Sequence, residues 1–137
     1  MALLLTGLLW FSAPSAAQTE QPIVYVIDID NEIELGLAAY LKRVLDDANA
    51  NDAAAVIMVI NTPGGRLDAT LEMRNAILDS NVETIAFVNR EAFSAGALIA
   101  ISAVQIYMTP GAVIGGATPV IGGIGETADE KIISAER

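Results

Sequence analysis

Three runs of apolar and β-branched residues limit what this chain can become: residues 23–29 (IVYVIDI), 54–61 (AAVIMVIN) and 84–89 (TIAFVN). They are nearly continuous rather than alternating in polarity. That pattern predicts strands buried on both faces, as in a parallel sheet covered by helices. A weaker run at 105–109 (QIYMT) predicts a fourth strand. Between the runs the period changes. Leu37, Leu41, Val44, Leu45 and Ala48 recur at helical spacing, with Lys42, Arg43, Asp46 and Asp47 on other faces. Residues 67–78 repeat the pattern through Leu67, Leu71, Ala76, Ile77 and Leu78, and Asp68 suits a first helical turn. Residues 94–103 (SAGALIAISA) are small or apolar all round, which predicts a buried helix. Strand and helix alternating in this way give an α/β fold with right-handed crossovers. At 137 residues, one domain is expected.

The two ends read differently. Residues 1–17 carry no ionisable side chain, and an apolar run from Ala2 to Phe11 leads into Ser12-Ala13-Pro14-Ser15-Ala16-Ala17. Ser15 and Ala17 fit the −3 and −1 positions of a signal-peptidase site, so residues 1–17 are expected to be a signal peptide or short anchor on an exported protein. The basic n-region of an ordinary signal is missing. From Pro110 onward, Gly111, Gly115, Gly116, Gly122, Gly123 and Gly125 predict a mobile loop near a site, followed by the start of another helix.

Two absences narrow the chemistry. Without cysteine there is no thiolate nucleophile, disulfide or thiolate metal site. Without histidine there is no Ser-His-Asp triad and no imidazole base or ligand. Neither a cofactor nor a metal is expected. A net charge of −10 argues against nucleic acid, whose phosphates need a basic face.

Three constellations remain. Asn61-Thr62-Pro63-Gly64-Gly65 ends the second run, where open α/β sheets place ligands. Its glycines allow a sharp turn with unshielded N–H groups, as an oxyanion hole needs; an ordinary strand-to-helix turn has the same composition. Ser94-Ala95-Gly96 opens the buried helix. A hydroxyl there stands at the positive end of the helix dipole, and the Ala95 N–H is placed to meet an oxyanion. Serine is also a common N-cap, and both readings fit. Lys131 comes after the glycine-rich stretch. A lysine amine is the usual substitute for histidine as the base of a serine nucleophile. Lowering its pKa about three units from about 10.4 costs roughly 4 kcal/mol, so a solvated lysine beside Glu126, Asp129 and Glu130 is the cheaper alternative.

Taken together, these residues resemble the NfeD-type membrane-bound serine proteases. That family partners stomatin-like membrane proteins and belongs to the Clp-protease/crotonase superfamily. The resemblance spans 23–137 and rests on residues 26–33 (VIDIDNEI), Asn61-Thr62-Pro63-Gly64-Gly65, Ser94-Ala95-Gly96-Ala97, Met108-Thr109-Pro110-Gly111 and Gly115-Gly116-Ala117-Thr118-Pro119-Val120. It implies a spiral of ββα units, incomplete at its C-terminus, with residues 18–137 forming the N-terminal part of the protease domain. It implies Ser94 as nucleophile, Lys131 as general base, and Gly64 or Gly65 with the Ala95 N–H as oxyanion hole. The implied substrates are hydrophobic peptide segments of membrane-associated proteins. The implied setting is the periplasmic or extracytoplasmic face of a membrane, as a homodimer or larger assembly. Long family members continue into more protease domain, membrane spans and a small β-barrel domain, and Gly115-Gly116 stands where Gly-Ala is commoner.

Three other readings compete. A signal-peptide peptidase of the same superfamily also uses serine and lysine, but normally has Ser-Gly-Gly where this chain has Ser94-Ala95-Gly96. Crotonase-type acyl-CoA chemistry would leave Ser94 and Lys131 idle and use glutamates such as Glu91. A non-catalytic fragment would only bind a membrane partner.

Overall fold

The computed structural model describes residues 21–117, with the backbone of residues 120–121 and 126–127. The chain runs β1 (Val24–Ile33), α1 (Leu35–Ala50), β2 (Ala55–Gly65), α2 (Leu67–Leu78), β3 (Glu83–Phe93), α3 (Ala95–Ser102), β4 (Gln105–Met108) and β5 (Val113–Gly115). A short antiparallel pair completes it, β6 (Val120–Ile121) with β7 (Glu126–Thr127). The first five strands form one parallel sheet in the order β1-β2-β3-β4, and β5 also pairs with β3. The signal peptide expected at residues 1–17, the helix expected at the chain's end, and Lys131 lie outside the described residues.

Local chemistry explains the helices. Glu34 caps α1, its carboxylate accepting from the Gly36 and Leu37 N–H groups at 3.1 Å each. The α1 residues Ala38, Leu41, Leu45 and Ala48 face the core. At the far end of α1, the Tyr25 hydroxyl donates to Asp47 Oδ2 at 2.7 Å, which ties β1 to the helix and raises the tyrosine's pKa. At the start of α2, Arg66 forks onto Asp68, with Nε to Oδ1 at 3.0 Å and Nη2 to Oδ2 at 2.6 Å. That bond, and the Ala69 N–H, hold the Asp68 carboxyl below its ordinary value.

All three helices pack on one face of the sheet. Ile27, Ile29, Val56, Met58, Ile60, Ala86 and Val88 meet Leu41, Leu45, Met73, Ile77 and Ile99 there in a single core. Strands joined in sequential order by crossovers of one hand place every helix on the same side. The opposite face is open, with Val26 63% exposed, Tyr107 55% exposed and Ile57, Val59, Ile85 and Phe87 half-buried. Covering on both faces, expected from the unbroken apolar runs, is therefore not what forms among the described residues. The runs mix core residues with apolar residues of the open face.

Each of the three long strands is two strands in series. The β1–β2 register shifts between Asp30 and Glu32, and the β2–β3 register shifts between Ile60 and Thr62. Past the shifts a second parallel ladder begins: Glu32 and Ile33 on Gly64 and Gly65, Thr62 on Ala92, and Glu91 to Phe93 on Val113 to Gly115. The ββα unit is thus a kinked strand followed by a helix. Bulges of this kind bend a strand and re-aim the residues beyond the bend. Part of the glycine-rich stretch, expected to be a loop, is strand β5.

Candidate active site

The second ladder brings the first two constellations together. Residues with positive φ close three adjacent strands: Asn31 in β1 (φ 64), Gly64 in β2 (φ 115) and Ser94 just past β3 (φ 51). Ser94 has ψ −115, a sparsely populated conformation for an L-residue that costs about 1–3 kcal/mol. It is held by its main chain. Its N–H donates to the Gly115 carbonyl at 2.9 Å, and its carbonyl accepts from the Ala97 and Leu98 N–H groups at 3.0 and 3.3 Å.

Ser94 occupies the N-cap position of α3, yet its hydroxyl makes no capping bond. The capping role is thereby excluded, leaving a half-buried hydroxyl at the start of a helix whose residues Ala95 to Ala100 are all buried. The Ala95 N–H has no acceptor among the described residues. Orphan amides at a helix start favour negative charge in front of them.

Gly64 presses against this turn. A Cβ on Gly64 would lie 2.8 Å from Ser94 Cβ, 3.2 Å from the Phe93 carbonyl oxygen and 3.3 Å from Ser94 Oγ. Only glycine allows that approach at that φ. Gly65 is confined on the other side, since a Cβ there would meet the Ile33 carbonyl oxygen at 2.2 Å. The Gly64 N–H donates to Thr62 Oγ1 at 3.1 Å, while Gly65 is exposed. Thr62 was legible only as the extended residue before Pro63. In the fold it is fully buried, and its hydroxyl also donates to the Asn31 carbonyl.

No buried polar side-chain atom is without a partner, and no cluster of acidic residues could hold a metal, among the described residues. A cleft of about 590 Å³ between α1 and α2 is lined by Lys42, Asp46, Glu72, Asn75 and Asp79. Neither the Asn61–Gly65 segment of β2 nor Ser94 borders it. Among the described residues, no helix is long and apolar enough to cross a membrane.

Comparison with known proteins gives this arrangement its context. The model of the family "NfeD1b, N-terminal domain" matches residues 23–136. The membrane protein NfeD1b of Bacillus subtilis is 43% identical over 115 residues, 84% of this chain and 26% of that protein. The membrane-bound protease PH1510 of Pyrococcus horikoshii is 33% identical over 118 residues, with the same two coverages. The chain thus spans about a quarter of the length of the curated relatives it matches. Among solved structures, a lysine-to-alanine mutant of the 1510-N membrane-bound stomatin-specific protease, in complex with a substrate peptide, superposes with TM-score 0.75 at 32% identity. That match covers 82% of this chain and 55% of the other. A ClpP1 mutant from Listeria monocytogenes, 22% identical with TM-score 0.55 over 57% of this chain and 46% of its own, shares the fold alone. By sequence and by architecture, the chain belongs to the NfeD1b N-terminal domain family and has a Clp-protease-like α/β fold.

Proposed function

We propose that residues 18–137 are the N-terminal part of a serine endopeptidase domain, acting by a Ser-Lys dyad at an extracytoplasmic membrane face after export on residues 1–17. The observation that carries this reading is Ser94 itself. A strained, uncapped hydroxyl at a helix start, against a glycine turn, costs stability and needs a compensating use. The relative 1510-N supports it: its solved forms include a serine-to-alanine mutant and a lysine-to-alanine mutant with substrate peptide.

In this mechanism neutral Lys131 takes the Ser94 proton, and Ser94 Oγ attacks a peptide carbonyl. The resulting oxyanion is held by the Ala95 and Gly65 amides, Gly65 being preferred because the Gly64 N–H is engaged by Thr62. Lys131 returns the proton to the leaving amine, and water then hydrolyses the acyl-enzyme. The substrates are hydrophobic segments of stomatin-like membrane proteins, and the enzyme works as a homodimer or larger assembly. Ser94→Ala and Lys131→Ala, made separately in the intact protein, should each abolish cleavage of hydrophobic peptides. Wild-type cleavage by either variant removes the dyad.

A further inference from the structure

We infer that Thr62 is a positioning residue for the nucleophile, an inference that rests on the Ser94 reading above and deepens it. The side chain of Thr62 joins β1, the Gly64 turn of β2 and the first turn of α3. Thr62 is 0% exposed, and its two branches do different things. The hydroxyl has one proton and two lone pairs. It donates to the Asn31 carbonyl, at the positive-φ turn of β1, and accepts from the Gly64 N–H at 3.1 Å. The methyl group fills the notch where Gly96 has no side chain: a Cβ on Gly96 would lie 2.4 Å from Thr62 Cγ2. One side chain therefore fixes the end of β1, the Gly64 turn and the first turn of α3.

Its influence on Ser94 passes through Gly64. The Gly64 backbone lies against Ser94 Cβ and Oγ, so the plane of the Gly64 peptide sets the wall beside the hydroxyl. That peptide is anchored by the bond to Thr62 Oγ1. Deprived of it, a buried N–H must turn towards water to find an acceptor. The adjoining peptide carries the Gly65 N–H, so the same rotation moves an oxyanion donor. In register, Thr62 also pairs with Ala92, two residues before Ser94.

Valine keeps the shape of threonine and removes both hydrogen bonds; serine keeps the hydroxyl and removes the methyl. The test measures the rate at which a fluorophosphonate labels Ser94 in the intact protein, with the folded fraction read by circular dichroism on the same samples. Thr62→Val should label about 100-fold more slowly while folded, the scale of a misplacement near 1 Å. Thr62→Ser should stay within roughly threefold of wild type, since it retains the anchor. With peptide substrate, Thr62→Val should lower kcat, leave KM within about twofold and leave the midpoint of the pH–rate profile in place, because ground-state binding and the base are untouched. Labelling of folded Thr62→Val at the wild-type rate overturns the proposal and leaves the Ser94 reading intact. Should Thr62→Val not fold, Thr62→Ala and Thr62→Ser decide, since both lack the methyl and they differ in the hydroxyl. Labelling about 100-fold slower in the alanine variant than in the serine one supports the anchor, and equal labelling overturns it. Wild-type protein labelled no faster than Ser94→Ala brings down both readings together.

Discussion

The two halves of each long strand are built on different rules. Before the register shifts, β1, β2 and β3 pair residue for residue, Ile27 on Met58 on Ala86 and Ile29 on Ile60 on Val88, beneath the helices. What matters there is apolar volume on one face, and many sequences would supply it. After the shifts, the chain depends on single atoms: a missing Cβ at Gly64, Gly65 and Gly96, one threonine hydroxyl, and one serine in a conformation that serines avoid. The first half determines whether the protein folds. The second determines where a hydroxyl points, and it gives up stability to do so.

Substitutions can set the halves against each other. The largest effect should come from Ser94→Ala, which removes the proposed nucleophile and should cut kcat by about 10⁴-fold or more without lowering the melting temperature. Ser94→Gly should lose activity equally and raise stability by about 1 kcal/mol, measured by urea unfolding, because glycine occupies φ 51 without strain. If Ser94→Gly is less stable than wild type, the Ser94 backbone is not strained and the comparison breaks. Ile60→Ala, on the core side, should do the reverse. It should cost about 2–5 kcal/mol in urea unfolding, while the labelling rate of the remaining folded molecules stays near wild type.

Gly64→Ala falls between, since it introduces a Cβ at φ 115 within 2.8 Å of Ser94 Cβ. It should lower fluorophosphonate labelling by about 10–100-fold and stability by about 1–3 kcal/mol. Labelling unchanged by that substitution would show that the Gly64 turn and Ser94 are not coupled. The smallest effect belongs to Asp68. Its folded-state pKa lies below the ordinary 3.8, so its contribution is present above that value and is lost as pH falls through the lowered one. Asp68→Asn should therefore lower stability slightly at neutral pH, leave it unchanged once the pH is below the lowered value, and so flatten the acid limb of a stability–pH curve. The pair is solvent-exposed, and the change will be near the limit of detection.

Much of the first half was legible in the chain. The runs at 23–29, 54–61, 84–89 and 105–109 lie on β1 to β4, and the periodic segments lie on α1, α2 and α3. Hydrophobic period reports burial, and burial is what these segments share. The second ladder was not legible, because its strands are two to four residues long and rich in glycine. Thr62-Pro63-Gly64-Gly65 reads locally as a turn and becomes strand only because Ile33 and Ala92 lie beside it. Gly115 likewise reads as loop until its carbonyl is seen to hold the Ser94 N–H. The openness of one sheet face was hidden too, since apolar residues such as Val26 and Ile57 look the same in sequence whether or not a layer covers them. Motif order singles out Ser94, Gly64, Gly65 and Ala95, which the fold brings together, whereas the contacts of Thr62 emerge only from the structure. A threonine before proline carries no sign of which three segments its two branches will join.

The unrelaxed backbone at Ser94 has a consequence over evolutionary time. A position where the working residue is worse for folding than glycine is under pressure to change whenever its work ceases to matter. If Ser94 carries the proposed chemistry, lineages of this family that have abandoned it should let the serine go early, drifting to glycine there while Met58, Ile60 and Val88 stay apolar. What occupies this one position then becomes a gauge of whether a descendant still does chemistry, readable from its gene alone.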